Sequence, residues 1–168
     1  LSGITVAYFN VTVFEDYLRM LKTCTEITGD SAAYKENGEE LAQEIDAIKK
    51  KAQGKDAGSA AVLTTYSGGT RVQSSSSQTG AMLAELGAEN IADTNKSLLS
   101  DYSLESLVEA DPDFIFLLPM GNTEEAAKKA LEDQTTSNPA WQDLTAVKKG
   151  HVVTLDPELF LYKPNDHW

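Results

Sequence analysis

The stretch SLESLVEADPDFIFLLPM, residues 103–120, contains the pattern that decides the fold. Ser103 is a typical helix cap, and the apolar residues after it recur at helical spacing until Pro112 breaks the helix. A continuous apolar run then follows at 114–118, which is typical of a strand buried on both faces. A helix followed by a buried strand is the repeating unit of parallel α/β sheets.

The same alternation continues on both sides of this stretch. The neighbouring elements that we predict are a strand at 60–66, a loop rich in Gly and Ser at 67–78, a helix at 79–86, a helix from about 122 to 133, a short helix from Asn138, and a last strand at 152–155. The sequence therefore predicts an α/β fold with a doubly wound, mostly parallel open sheet and helices on both faces.

The first thirty residues predict one strand and one helix. A β-branched and aromatic run at 4–9 indicates the strand. Residues 12–28 indicate the helix, with Thr12 and Glu15 as a capping pair and Gly29 at the point where the helix stops.

A second, longer helix is predicted at 38–54. Its first residues are acidic and its last turn contains Lys49, Lys50 and Lys51, so the charges complement the helix dipole at both ends. One side of it is polar throughout, which suits a helix that bridges two packed units. The segment 53–59, with Gly, Asp and Gly, is the best candidate for a boundary between them.

Charge and cysteine content exclude several classes of function. The chain has 168 residues with 14 Lys and Arg against 26 Asp and Glu, a net charge of −12, which argues against nucleic acid as a partner. The single cysteine, Cys24, allows no intramolecular disulfide, and we expect it to be a small buried residue in its helix. His151 is expected to be a solvated histidine before the last strand. No nucleophile with a matching base stands out, which favours a binding module over an enzyme.

Ligands of open α/β sheets bind outside the carboxyl ends of the strands. The loops expected there contain five candidate ligand-binding residues, which are Tyr66, Arg71, Gln73, Met120 and Tyr162. Arg71 is the only arginine of these loops, and in an acidic chain it is the natural anchor for an anionic ligand. The competing interpretation is an ordinary solvated arginine on a surface loop.

Two other functions stay open from the residues alone. The segment from Ser67 to Ser77 could serve a small α/β enzyme, or a binding domain for a phosphorylated or nucleotide ligand, although the usual glycine-rich phosphate motifs are missing. The chain could also be a partner-binding domain with an acidic docking face. Glu124 and Glu125 fit either a helix-dipole role or the docking of a partner's arginine.

Four segments in the same order carry a family resemblance: 83–93, 102–121, 136–152 and 162–168. Together they resemble the ABC-transporter substrate-binding proteins of the class that captures ferric siderophores, haem and cobalamin. The resemblance implies two α/β lobes joined by one long helix. Residues 1–30 would then be the end of the amino-terminal lobe, 31–58 the bridging helix and linker, and 59–168 the carboxyl-terminal lobe without its final helix.

The resemblance also implies binding without a reaction and without a cofactor. The ligand would be a small-molecule metal complex, a ferric siderophore by first choice with haem and cobalamin as alternatives, held by Arg71, Tyr66 and Tyr162. The partner would be an ABC permease with its ATPase, docked through Glu124 or Glu125. The implied protein is a monomer in the periplasm or outside the cell, with or without a lipid anchor.

Overall fold

The computed structural model describes residues 3–66, 68–100, 102–121 and 124–161. Its first helix, α1 (Phe14–Thr28), ends at Gly29 as predicted, where the backbone φ is 75°. The predicted cap is wrong, because the Asp16 carboxylate, not Glu15, accepts the N–H groups of Thr12 and Val13, at 3.1 and 3.3 Å. These two hydrogen bonds hold the pKa of Asp16 below its usual range.

Cys24 of α1 is exposed, so the prediction of a buried cysteine is wrong. The predicted strand at 4–9 is also not observed, since none of the described strands pairs with it. Ile4 and Tyr8 of this segment are exposed to solvent. A run with strand propensity forms a strand only when a neighbouring strand supplies its hydrogen bonds, and sequence pattern cannot reveal whether that neighbour is present.

The long helix runs over residues 31–52 and begins earlier than predicted. It consists of α2 (Ser31–Tyr34), a π-turn at Lys35–Glu40 and α3 (Leu41–Ala52), without interruption. Asp30 caps it by accepting the Ala33 N–H at 3.0 Å. Gly38, which we expected at its start, is buried inside the π-turn.

Gly38 is the point at which α1 packs against the long helix. A side chain there would come within 3.2 to 3.3 Å of the ends of Leu21 and Leu18. The Tyr17 hydroxyl donates a hydrogen bond of 3.0 Å to the carbonyl oxygen of Asn37 in the same π-turn. The close approach of the two helices therefore explains why a glycine stands at a position that sequence pattern assigns to a helix start.

The sheet is built around β1 (Ser59–Tyr66), in which residues 60–65 are buried. On one side β1 pairs in parallel with β4 (Phe114–Pro119), and β4 pairs in parallel with β5 (Val152–Thr154). On its other side lie two strands: β2 (Gly69–Gln73), which is antiparallel, and the short β3 (Glu89–Asn90), which is parallel. The sheet is thus mostly parallel, as predicted.

The position of β2 corrects the prediction of a loop over 67–78. Only residues 67 and 68 separate β2 from β1, which is the spacing of a two-residue hairpin. The register places Val72 opposite Leu63, so Val72 joins the core. The burial of one face of β2 explains why a segment with Gly and Ser at both ends is ordered as a strand.

Helices lie on both faces of the sheet. They are α4 (Gln78–Glu85), α5 (Ile91–Thr94), α6 (Ser97–Ser100), α7 (Leu104–Ala110), α8 (Glu124–Leu131), α9 (Thr145–Lys148) and α10 (Pro157–Phe160), with a π-turn at Glu132–Thr136 and a 3-10 turn at Pro139–Asp143. Ser103 caps α7, as predicted, by accepting the Ser106 N–H at 3.1 Å. Among the described helices, none combines the length and apolar character needed to span a membrane.

Candidate functional site

The carboxyl ends of β1 and β4 lie side by side at one edge of the sheet. The Met120 N–H donates a hydrogen bond of 2.7 Å to the carbonyl oxygen of Thr65, so the end of β4 is fixed next to the end of β1. This is the edge at which open α/β sheets bind ligands. We call Tyr66, Arg71 and Met120, which lie here, the sheet-end site.

Arg71 and Tyr66 are in direct contact at this edge. The antiparallel register places Arg71 opposite Thr64, diagonal to Tyr66 on the same face of the sheet. The guanidinium carbon lies 5.2 Å from the centroid of the Tyr66 ring, in a cation–π contact. Arg71 is exposed, and within the described ranges no carboxylate lies at ion-pair distance from it. The stacked guanidinium can therefore donate to an anion that approaches from solvent.

Of the other candidate residues, Gln73 is hydrogen-bonded within the sheet, and the roles of all of them stay untested. The Gln73 amide donates a 3.1 Å hydrogen bond to the Thr64 hydroxyl within the sheet, and its backbone carbonyl accepts from Asn90 at 2.9 Å. Tyr162 and the Glu124 side chain lie outside the described residues. Glu125 is exposed in the first turn of α8. The ligand and docking roles of all these residues stay predictions.

Buried hydroxyl groups lie next to the site, and our sequence reasoning did not single out Thr65 or Thr135. The Thr70 hydroxyl oxygen lies 3.3 Å from that of Thr65 and 3.5 Å from that of Thr135, and Thr65 and Thr135 are buried. Burial raises the pKa of the Tyr102 hydroxyl, and nearby Thr135 lowers it by less. Tyr102 therefore stays protonated. Thr135 reaches this position through the π-turn after α8, which no sequence signal indicated.

The opposite end of the sheet is a structural network. The Asp113 carboxylate accepts from the Ser59 N–H and hydroxyl, at 3.1 and 2.9 Å, and these hydrogen bonds lower its pKa. His151 is half-buried, lies 3.0 Å through Nδ1 from the Asp113 carbonyl oxygen, and stacks on Phe114 with ring centroids 4.5 Å apart. The expectation of a solvated histidine is therefore wrong, because the His151 ring packs against the ring of Phe114.

An apolar groove separates α1 from the sheet and its helices. Its volume is about 270 Å³. It is lined mainly by apolar side chains from four elements, which are Val13, Phe14, Ile45, Ile48, Ala81, Met82, Leu86 and Phe160. Lys49 of the long helix and Glu85 of α4 also line it, and Lys49 Nζ lies 2.8 Å from Glu85 Oε2. None of the three residues of the sheet-end site contributes to this lining.

Comparison with known families assigns the chain. The family model described as "Periplasmic binding protein" matches residues 2–159. The chain belongs to the periplasmic binding protein family. This family assignment confirms the resemblance found in the sequence. It also confirms the expectation of a binding module and not an enzyme, because the members of the family are binding proteins.

Relatives of this periplasmic binding protein include the high-affinity heme uptake system protein IsdE of Staphylococcus aureus (strain MRSA252). That protein is 28% identical over 148 residues, which cover 85% of this chain and 50% of the relative. The chain therefore spans about half the length of the curated relatives it matches.

Solved structures share the fold. The alignment with the structure of S. aureus IsdE complexed with heme covers 98% of this chain and 64% of the IsdE chain, with a TM-score of 0.76 and 22% identity. The alignment with the iron-uptake system-binding protein FeuA from Bacillus subtilis covers 92% of this chain and 56% of the FeuA chain, with a TM-score of 0.69 and 25% identity. The mostly parallel α/β sheet is thus the fold of known binding proteins.

Part of the segment in the phosphate-loop interpretation is a strand in this periplasmic binding protein. Residues 69–73, which it required as a loop, form β2, and their backbone groups pair with β1. The N–H groups that face β1 are engaged in this pairing and are not available to an anion.

Proposed function

We propose that this chain is part of the substrate-binding component of an ABC importer and carries an anionic iron complex of the haem or siderophore class. The observation that carries the proposal is Arg71, an exposed guanidinium stacked on Tyr66 at the ligand-binding edge of a sheet in a chain of charge −12. The family and the named uptake functions of its relatives support it.

The proposed arrangement has the ligand between two lobes. Residues 1–30 would belong to the first lobe, 31–58 to the bridging helix and linker, and 59–168 to the second lobe, whose sheet-end site faces the ligand. Ferric catecholates and the carboxylates of haem both present anionic oxygens, which match the donors of Arg71. The iron complex is the cargo, and no resident cofactor is proposed.

Delivery would require a membrane permease with its ATPase. We propose that Glu125, which is exposed at the start of α8, or Glu124 beside it docks to arginines of that permease. The proposed protein works as a monomer outside the cytoplasmic membrane, in the periplasm or at the cell surface, with a lipid anchor as one option.

A tryptophan-fluorescence titration tests the proposal. Haem, a ferric catecholate, a ferric hydroxamate and cobalamin are each added to the protein and to Arg71→Ala. A hydrogen bond to a charged group is worth about 1.5–3 kcal/mol, so the variant should bind the cargo roughly 10- to 100-fold more weakly. Arg71→Lys keeps the charge but loses the planar fork, and its affinity should lie between the two.

The matched control is Arg19→Ala, because Arg19 is the other arginine of the chain and lies on α1, away from the sheet-end site. It removes the same charge and should leave the affinity unchanged. If Arg71→Ala and Arg19→Ala lower the affinity for the cargo equally, Arg71 acts only through its general charge and not through direct contact. No binding of any of the four complexes would contradict the proposed cargo class.

A further inference from the structure

We infer that Lys49 is a positioning residue that holds α1 at a fixed angle to the sheet by bridging two carboxylates across the apolar groove. The inference depends on the proposed function in one respect, since that angle would set the width of the cleft between the two lobes. Its structural basis is independent of any ligand.

Three elements that are distant in sequence meet at the Lys49 ammonium group. Lys49 Nζ lies 2.8 Å from Glu85 Oε2 in the last turn of α4 and 3.6 Å from Glu15 Oε1 in the first turn of α1. Lys49 itself lies on α3, the final part of the long helix. One side chain thus contacts the element before the long helix and an element of the sheet unit after it.

The Lys49–Glu85 arm of this bridge is more protected than the arm to Glu15, whose side chain is 62% exposed. The Lys49 side chain is 26% exposed and that of Glu85 31% exposed, and both lie against the apolar lining of the groove. Burial alone would lower the pKa of Lys49, but the hydrogen bonds and charges of Glu85 and Glu15 together outweigh it and raise the pKa. The ammonium therefore stays charged, and salt screens the pair with Glu85 less than an exposed pair.

The packing between α1 and α4 is incomplete. The two helices face each other across about 270 Å³ of groove. Protein interiors that fix one geometry are close-packed, and this junction is not filled by the described side chains. A direct contact across the groove, such as the Lys49 bridge, then has more influence on the angle than it would have in a filled interface.

A distance measurement by pulsed electron paramagnetic resonance tests the inference. Cys24 is exposed on α1 and accepts one spin label. Glu109→Cys, at an exposed position of α7, provides the second in the sheet unit. With Lys49 intact, the distance distribution should be narrow. Lys49→Met keeps the apolar stem, removes the bridge, and should shift or broaden the distribution.

The matched control is Lys50→Met, because Lys50 is exposed on the same helix and makes no ion pair with the described residues. It should leave the distribution unchanged. Glu85→Gln should have a larger effect than Glu15→Gln, since the first removes the 2.8 Å contact and the second only the 3.6 Å contact. Lys49→Arg keeps the charge and should restore the narrow distribution if Lys49→Met folds poorly.

The outcomes separate the inference from the proposed function. If the distribution of Lys49→Met equals that of Lys50→Met, the inference is wrong, even when haem or a ferric catecholate binds. If the distribution changes but none of the four iron and cobalt complexes binds, the bridge stands and the proposed function fails. In a protein that binds one of them, Lys49→Met should also weaken the affinity, and Lys50→Met should not.

Discussion

Gly80 offers a sharp test of how the turn after β2 packs against α4. Gly80 is buried in the first turn of α4, and a Cβ atom there would lie 2.0 Å from the carbonyl oxygen of Ser74. Ordinary van der Waals contact begins at 3.4 Å, so the turn would have to retreat by 3.4 − 2.0 = 1.4 Å. The obstacle is backbone, which is held by the 3.0 Å hydrogen bond from Ser77 N–H to the Ser74 carbonyl oxygen.

The expected loss of stability in Gly80→Ala follows from two opposing terms. Overpacking costs about 1–3 kcal/mol, and a backbone obstacle places this site at the upper end. Alanine in a helix gains about 1 kcal/mol over glycine. The net destabilisation is therefore about 2 kcal/mol, or a decrease in Tm of roughly 4–8 °C for a chain of this size.

Thermal unfolding followed by circular dichroism measures this effect. The matched control is Ala84→Gly at an exposed position of the same helix, which should lose only about 1 kcal/mol through helix propensity. Gly80→Ala that is as stable as the original protein would refute the reasoning, because the turn at Ser74 and Ser77 would then not press on α4 as described.

Three further variants test the fold. Leu107 is fully buried, so Leu107→Ala should cost about 2–5 kcal/mol of unfolding free energy in urea titration. Hydrogen bonds from Thr145 lower the pKa of Asp111 in the folded protein. The charged Asp111 carboxylate therefore contributes fully to the free energy of unfolding above the pKa that Asp111 has in the unfolded chain, and this contribution disappears as the pH falls through its folded pKa. Asp111→Asn should accordingly show a weaker loss of stability than the original protein on acidification below about pH 5, and an equal loss would contradict this. Tyr17→Phe leaves the Asn37 carbonyl without its hydroxyl donor and should cost about 1–3 kcal/mol by the same titration, whereas Tyr8→Phe, at an exposed position, should cost nothing measurable.

Burial patterns made the centre of the sheet predictable. Continuous apolar runs identify β1 and β4, because a strand buried on both faces needs no alternation. Caps are similarly local, and Ser103 fixes the start of α7 through its own hydroxyl. β2 was missed, although its two-residue connection to β1 is a hairpin signal, since its flanking Gly and Ser residues also suit a loop.

The candidate site was predictable only in part. The contact of Arg71 with Tyr66 follows from their place near the carboxyl end of a strand, even though the intervening segment was assigned to a loop. The bridge of Lys49 and the position of Thr135 were not found, because Lys49 follows a π-turn in its helix and Thr135 lies within one. A π-turn arises from tertiary packing, here of Gly38 beneath Leu18 and Leu21, which sequence periodicity does not contain.

The π-turn at Lys35–Glu40 also determines which residues of α3 point toward the groove. Each residue advances an α-helix by about 100°, so a one-residue insertion rotates everything after it by that angle. Without the insertion, the lysine at position 49 would point a quarter turn or more away from Glu15 and Glu85. A single additional residue within Lys35–Glu40 thus sets the phase of the helix on which the contact between α1 and the sheet depends.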